Sequence, residues 1–329
     1  MHVLVVGGAG YIGSHAVRAL VRAGHEVTVY DNLSLGHRQA VPAERLVVGA
    51  LEDTARLIEV LGSRRIDAVM HFAAFTLVGE SVADPQKYYL NNIGGSLSLF
   101  AAMREAGVRR CVFSSTAAVY GEPERVPIRE DAPLAPVNPY GFTKLTIERA
   151  LADFAQAYGW GTAALRYFNA AGAHPDGDIG EDHRPESHLI PIVLQVALGQ
   201  REAIQIFGDD YATPDGTCVR DYIHVEDLAA AHVLALEKLQ EGVALQANLG
   251  VGQGYSVREV IDTCRKITGR PIAERIAPRR AGDPPSLVAD ASRAASLLGW
   301  RPQHSDLQTI VETAWRWHRE HPQGYGATS

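Results

Sequence analysis

The chain opens on an apolar run, Val3-Leu4-Val5-Val6, which stops at Gly7-Gly8-Ala9-Gly10-Tyr11-Ile12-Gly13 and passes at once into a helical pattern. Few architectures begin this way. Four consecutive apolar residues ended by glycine read as a strand buried on both faces. In the G-x-x-G-x-x-G that follows, Gly7 permits a tight turn, Gly10 lets backbone approach a phosphate, and Gly13 lets helix pack closely on strand. The helix starting at Tyr11 offers free N–H groups and a favourable dipole to a pyrophosphate. An ordinary strand-to-helix turn can carry the same glycines. Its position directly after the first strand favours the dinucleotide reading.

The first half repeats the unit. Strands are expected at His2–Val6, Glu26–Tyr30, Arg45–Val48, Ala68–Phe72, Arg110–Ser114 and Thr162–Tyr167, with helices at Tyr11–Ala23, Thr54–Leu61, Pro85–Ala106 and Pro139–Tyr158. Most of these strands are continuous apolar runs, as in a parallel sheet covered on both faces. The reading is an α/β, doubly wound, Rossmann-type fold. The second half is more broken, with loops at His174–Ser187 and Gly208–Gly216 and helices expected at Ile190–Gly199, Val225–Leu239, Ser256–Thr268 and Leu307–Glu320. Val225–Leu239 is alanine-rich enough to pack back on the sheet. A smaller α/β substrate domain is therefore expected to be interleaved. Residues 1–168 with about 219–250 would bind the dinucleotide, and 169–218 with about 251–329 the substrate.

Composition narrows the partners. The 329 residues suffice for one large domain or two unequal ones. A net charge of −7 argues against nucleic acid or an anionic membrane as the main partner. Three scattered cysteines, Cys111, Cys218 and Cys264, fit reduced thiols in the cytoplasm better than a disulfide framework or zinc site. The N-terminus reads as a strand rather than a signal peptide, and no apolar stretch is long enough to span a bilayer.

The second strand ends in Val29-Tyr30-Asp31. An acid there accepts hydrogen bonds from the adenosine ribose and repels a 2′-phosphate, so NAD is expected over NADP. Asp31 could instead cap the turn Asn32–Ser34; the spacing favours the ribose. Further on, Asn138 and Pro139 suit the start of a helix on which Tyr140 and Lys144 lie one turn apart. A free phenol, with a pKa near 10, is a poor base at neutral pH. A neighbouring ammonium and an oxidised nicotinamide both favour its phenolate. Upstream, Cys111–Phe113 opens into Ser114-Ser115-Thr116, hydroxyls at the C-terminal end of a parallel strand where ligands bind.

The glycine turn, the Ser-Ser-Thr strand end and Tyr140-x-x-x-Lys144 resemble the extended short-chain dehydrogenase/reductase superfamily. Further stretches narrow the resemblance: Asp31–Ser34, His71–Ala74, Val78–Ser81, Arg166–Gly172, Asp215–Val225 and Arg279–Asp283. Together, over nearly the whole chain, they resemble the UDP-glucose 4-epimerase family. That resemblance implies Tyr140, Lys144 and Thr116 as catalytic residues. It implies NAD contacts from Gly7, Gly10, Tyr11, Ile12, Gly13, Asp31, Asn32, Leu51, Phe72, Ala73, Asn91, Ser114 and Tyr167. UDP-sugar contacts would come from Asn169, His188, Leu189, Phe207, Tyr222 and Leu287, with Arg220 and Arg280 on the diphosphate and Asp283 on the uridine ribose. Leu287 would border the hexose C2 substituent. Two positions depart from the family pattern. Ala50 stands where an aspartate usually meets adenine, and Thr76 where some members carry a lysine.

The implied reaction is reversible NAD-dependent epimerisation at C4 of a UDP-hexose through a 4-keto sugar. N-acetylhexosamines and pentoses remain open as sugars. A 4,6-dehydratase would need acidic residues after Thr116, where this chain has Ala117-Ala118. A non-catalytic NAD(P)-sensing regulator would not need an intact Tyr140-x-x-x-Lys144. No metal is expected: His174, His183 and His188 with their neighbouring acids lack zinc or calcium spacing and read first as a solvated flap, second as a flap over the substrate. Related enzymes pair through two helices each, so a homodimer joined through Pro85–Ala106 and Pro139–Tyr158 is expected.

Overall fold

The computed structural model describes residues 1–280 and 283–326. Ala281 and Gly282, within the Arg279–Asp283 stretch, lie outside the described residues. The first half runs β1 His2–Val6, α1 Tyr11–Arg22, β2 Glu26–Asp31, β3 Leu46–Val48, α2 Thr54–Ser63, β4 Ala68–His71, α3 Val78–Ala83, α4 Pro85–Tyr88, α5 Gly95–Glu105, β5 Arg110–Thr116, α6 Pro139–Tyr158 and β6 Gly161–Tyr167. The second half runs β7 Asn169–Ala171, α7 Leu189–Ala197, β8 Ile204–Phe207, β9 Val219–Arg220, β10 Tyr222–His224, α8 Val225–Lys238, β11 Ala244–Leu249, β12 Tyr255–Ser256, α9 Val257–Thr268, β13 Glu274–Ala277, β14 Ser286–Leu287, α10 Ser292–Leu298 and α11 Leu307–Glu320.

Seven strands form one parallel sheet in the order β11-β6-β5-β4-β1-β2-β3. The pleat sends alternate residues to opposite faces. Val3 and Val5 pack with Ala16 and Leu20 of α1 and Leu228 of α8. Leu4 and Val6 pack on the other face with Leu57, Leu99 and Leu151 of α2, α5 and α6. Fully burying each such side chain is worth about 1.5–3 kcal/mol. Chain order reverses between β1 and β4, so a crevice opens at their C-terminal ends. Beyond this sheet, α7, α9 and α11 share a third core through Val193, Ile261 and Ile310. Short pairings β7–β10, β8–β13 and β9 between β12 and β14 complete the second half.

Several boundaries differ from the sequence reading. Pro85–Ala106 is not one helix: a π turn at Tyr89–Gly94 separates α4 from α5. A wider turn of that kind cannot be read from apolar spacing and frequently marks a functional site. Arg45 belongs to a 3₁₀ turn rather than to β3. β5 runs on to Thr116, beyond the expected Ser114. Pro139–Tyr158 matches its expectation: Asn138 accepts from the Gly141 amide at 2.9 Å, Pro139 occupies the first turn, and Gly159 ends the helix at φ 71°.

Candidate active site

A cavity of about 500 Å³ opens at the C-terminal ends of the central strands. Gly7, Gly10, Tyr11, Ile12 and Gly13 form part of its wall. Gly7 has φ +76°, and a Cβ there would lie 2.5 Å from the Ala73 nitrogen. A Cβ at Gly13 would lie 2.2 Å from the Gly7 carbonyl oxygen. Both positions therefore require glycine, one for the turn and one for seating α1 upon it. Gly10 caps α1 with no side-chain hydrogen bond, leaving the first-turn amides to a ligand.

Asp31 is buried at the end of β2 and accepts from the Ala9 amide at 2.9 Å and the Leu33 amide at 2.8 Å. Burial raises its carboxyl above the ordinary value; the two amides work against that. Asn32, Leu51, Phe72, Ala73 and Asn91 line the same cavity, as does Thr76. Ala50 offers only its carbonyl, which accepts from the Tyr30 hydroxyl at 2.9 Å.

The catalytic candidates meet where β5 faces α6. Thr116, Tyr140 and Lys144 all line the cavity, with Ser114 and Tyr167, whose hydroxyls bond each other. Lys144 is 1% exposed and its Nζ donates to the Ser114 carbonyl at 2.8 Å. Burial pushes its ammonium down to about 7, while the Glu148 carboxylate pulls the other way. Burial raises the Tyr140 phenol, and the Thr116 hydroxyl works against that. The Lys144 ammonium stands 6.0 Å from the Tyr140 ring centre, nearer the Phe113 ring at 4.8 Å.

Of the residues expected at the sugar nucleotide, Asn169, His188, Arg220, Asp283 and Leu287 line the cavity. Leu189, Phe207, Tyr222 and Arg280 are not part of its lining. Tyr222 is buried in the third core and Leu189 packs against it. Arg280 instead stacks on Phe207, 3.8 Å above the ring centre. Arg220 pairs with Asp283 and donates to the Val219 carbonyl at 2.8 Å.

Sequence reasoning missed two groups. Asn92 is buried in the π turn; its side chain accepts from the Phe75 amide at 2.9 Å and donates to the Phe75 carbonyl at 3.0 Å and the Thr143 hydroxyl at 3.1 Å. The loop 180–188 is only partly solvated: Arg184, Pro185, Ser187 and His188 are exposed, whereas Glu181 is buried. Glu181, 3% exposed in its side chain, lines the cavity with His183 and His188. The Trp317 indole holds its carbonyl at 2.9 Å. Its carboxylate lies 2.6 Å from His188 Nδ1 and 3.1 Å from His183 Nδ1. Burial raises the Glu181 carboxyl, but His188 and His183 outweigh this and hold it low. Nothing in the run Glu181–His188 distinguishes a buried carboxylate from a solvated one.

A family model described as the NAD dependent epimerase/dehydratase family matches residues 3–250. A UDP-glucose 4-epimerase of Halalkalibacterium halodurans is 56% identical, the alignment covering 99% of this chain and 98% of that one. Among solved structures, UDP-glucose 4-epimerase from Brucella ovis in complex with NAD gives a TM-score of 0.92 at 51% identity, covering 95% and 97% of the two chains. The Bifidobacterium longum enzyme in complex with NAD+ and UDP gives 0.93 at 40% identity, covering 98% and 100%.

Proposed function

Because this chain belongs to the NAD dependent epimerase/dehydratase family, we infer that it catalyses reversible NAD-dependent epimerisation at C4 of a UDP-hexose, interconverting UDP-glucose and UDP-galactose through a 4-keto sugar. The observation that carries the reading is one continuous cavity whose lining includes Asp31, Tyr140, Lys144 and Arg220.

The residues present fit NAD: the crowded Gly7 and Gly13 leave room only for backbone, the α1 amides are uncapped by a side chain, and Asp31 is held in place by two amides. When bound, NAD supplies the hydride acceptor for sugar C4 and a positive ring that favours the Tyr140 phenolate. Tyr140 removes the C4 hydroxyl proton, directly or through Thr116, and returns it after the ketone has turned over. Lys144 fixes the end of β5 through Ser114. Arg220 anchors the diphosphate while the sugar moves.

Two finer statements belong to this reading. Residues 1–168 with about 219–250 bind NAD and the remainder binds UDP-sugar. The enzyme is a cytoplasmic homodimer: its three free thiols are buried, and α4–α6 expose apolar side chains at Tyr89, Leu90, Leu97 and Phe142. Among the described residues no helix is long and apolar enough to cross a membrane.

The test is parallel incubation with UDP-galactose, UDP-N-acetylgalactosamine and UDP-arabinose, with product separation. UDP-glucose formed from UDP-galactose without added reductant supports the reading. A 4-keto-6-deoxy product would instead mean dehydration.

A further inference from the structure

Glu148 of α6 and Arg166 of β6 form an ion pair behind the catalytic candidates. They are 4% and 3% exposed. The guanidinium donates to the carboxylate through Nη2 at 2.6 Å and through Nε at 3.0 and 3.2 Å. The pair holds the chain at two places around Thr116. On one side the Ser115 hydroxyl donates to Glu148. On the other, Arg166 Nη1 donates to the Tyr120 hydroxyl at 2.9 Å, which donates on to the Asn248 side chain of β11 at 2.7 Å. We propose that Glu148 and Arg166 are positioning residues for the reaction: gripping Ser115 before Thr116 and Tyr120 after it, they hold the Thr116 hydroxyl in the cavity that Tyr140 and Lys144 also line. This rests on the epimerase reading above, in which Thr116 can pass the C4 proton to Tyr140.

The pleat explains why the grip falls on Ser115. Alternate residues of a strand face opposite ways. Ser114 and Thr116 line the cavity, so Ser115 faces the other side, as Phe113 does in the core shared with α6. Arg166 stands directly opposite Ser115 in the β5–β6 register. One helical turn before Glu148, α6 is tied to β5 a second time, where Lys144 Nζ reaches the Ser114 carbonyl. Thr116 is thus the residue between the anchors. Its Oγ1 accepts from the Ala118 amide at 3.2 Å, which leaves its proton to donate into the cavity.

Stability alone does not account for a charged pair in this place. Well-packed apolar side chains of similar volume are often as stabilising or more so. Burial works against the Arg166 charge, and the Glu148 carboxylate outweighs it. What the pair adds is direction: a planar guanidinium meeting a carboxylate on both oxygens fixes angles that apolar contacts leave free.

The experiment compares the NAD-loaded wild type with Ser115→Ala, Ser115→Thr and the double variant Glu148→Met with Arg166→Met. The pair is replaced together because removing one partner strands the other's buried charge and endangers the fold. Ser115→Ala should lower kcat for UDP-galactose on the order of tenfold with KM little changed, since what is lost is aim at the reacting centre. Ser115→Thr keeps the hydroxyl and should recover most of that loss. The double variant should lose kcat likewise while its urea midpoint stays at or above that of wild type. A second readout needs no turnover. The Tyr140 phenol, followed by phenolate absorbance against each protein's Tyr140→Phe counterpart, should titrate at higher pH in Ser115→Ala, because the Thr116 hydroxyl opposes the rise that burial imposes. The other titratable groups facing Tyr140 are Lys144 on its own helix, Tyr167 of β6 and Tyr88 of α4, and none of them is altered. The proposal is overturned if Ser115→Ala turns over like wild type, if KM rises as far as kcat falls, if the Tyr140 titration stays put, or if the double variant keeps wild-type kcat, which would leave the pair a prop of the fold. Failure of the wild type to interconvert UDP-galactose and UDP-glucose would sink the enzymatic reading, whereas the titration tests the hold on Thr116 either way.

Discussion

Tyr140→Phe removes one oxygen from a helix whose caps and packing are untouched. General acid–base groups commonly contribute on the order of 10²–10⁴ in rate. Turnover should fall by that amount while bound NAD, followed by absorbance after denaturation, stays near stoichiometric. Lys144 makes a prediction about pH. Its ammonium is depressed to about 7 in the folded chain and sits near 10 in the unfolded one. Between those values the unfolded state binds more protons, so this lysine makes stability rise with pH from about 7 to 10. Lys144→Met should be more stable than wild type near pH 7, and the difference should shrink as pH climbs. Urea midpoints of both proteins across that range measure it. Asp31 sets the third expectation. Its buried carboxylate would face a 2′-phosphate, so NAD should bind at least about tenfold tighter than NADP, and Asp31→Asn should narrow the ratio.

Among the elements, β14 carries the test of sugar choice. Leu287 pairs in register with Arg220 of β9, packs beside Tyr120 and Phe168, and lines the cavity. If it borders the C2 substituent, Leu287→Tyr should lower the specificity constant for UDP-N-acetylgalactosamine more than that for UDP-galactose, and Leu287→Ser should do the reverse. A ratio that stays put in both variants would make Leu287 a core residue only. This strand also marks where sequence reasoning stopped. A strand of two residues, such as β9, β12 or β14, has no period to detect. Long α6 was legible from its ends, because Asn138, Pro139 and Gly159 are capping chemistry written in the residues themselves. Asn92 and Glu181 were not legible, since their roles depend on burial by parts of the chain far away in sequence.

At the scale of the whole molecule, Leu90 is 66% exposed and Leu97, about two turns further on, 46%. A second copy would cover them, with Tyr89 and Phe142 at the seam. Leu90→Glu with Leu97→Glu should yield a monomer by sedimentation, and a wild type that is itself monomeric would refute the dimer. Six of the seven strands were legible, because they are short apolar runs that mostly alternate with helices. The seventh, β11, was not read as a strand: Ala244–Leu249 was expected within the dinucleotide-binding part, but its polar Gln246 and Asn248 break the apolar run.

That seventh strand has a consequence for how the protein is made. β6 bonds β5 on one side and β11 on the other. A nascent chain finishes β6 and then adds about 80 more residues before β11 is complete, which at roughly 5–20 residues per second takes several seconds. Through that interval the hydrogen-bonding edge of Gly161–Tyr167 is bare, and α8, which shields one face of the sheet, is also unfinished. The youngest half of each polypeptide must therefore emerge before the oldest half can close, and the time when a crowded ribosome most risks joining two chains edge to edge falls in the middle of translation.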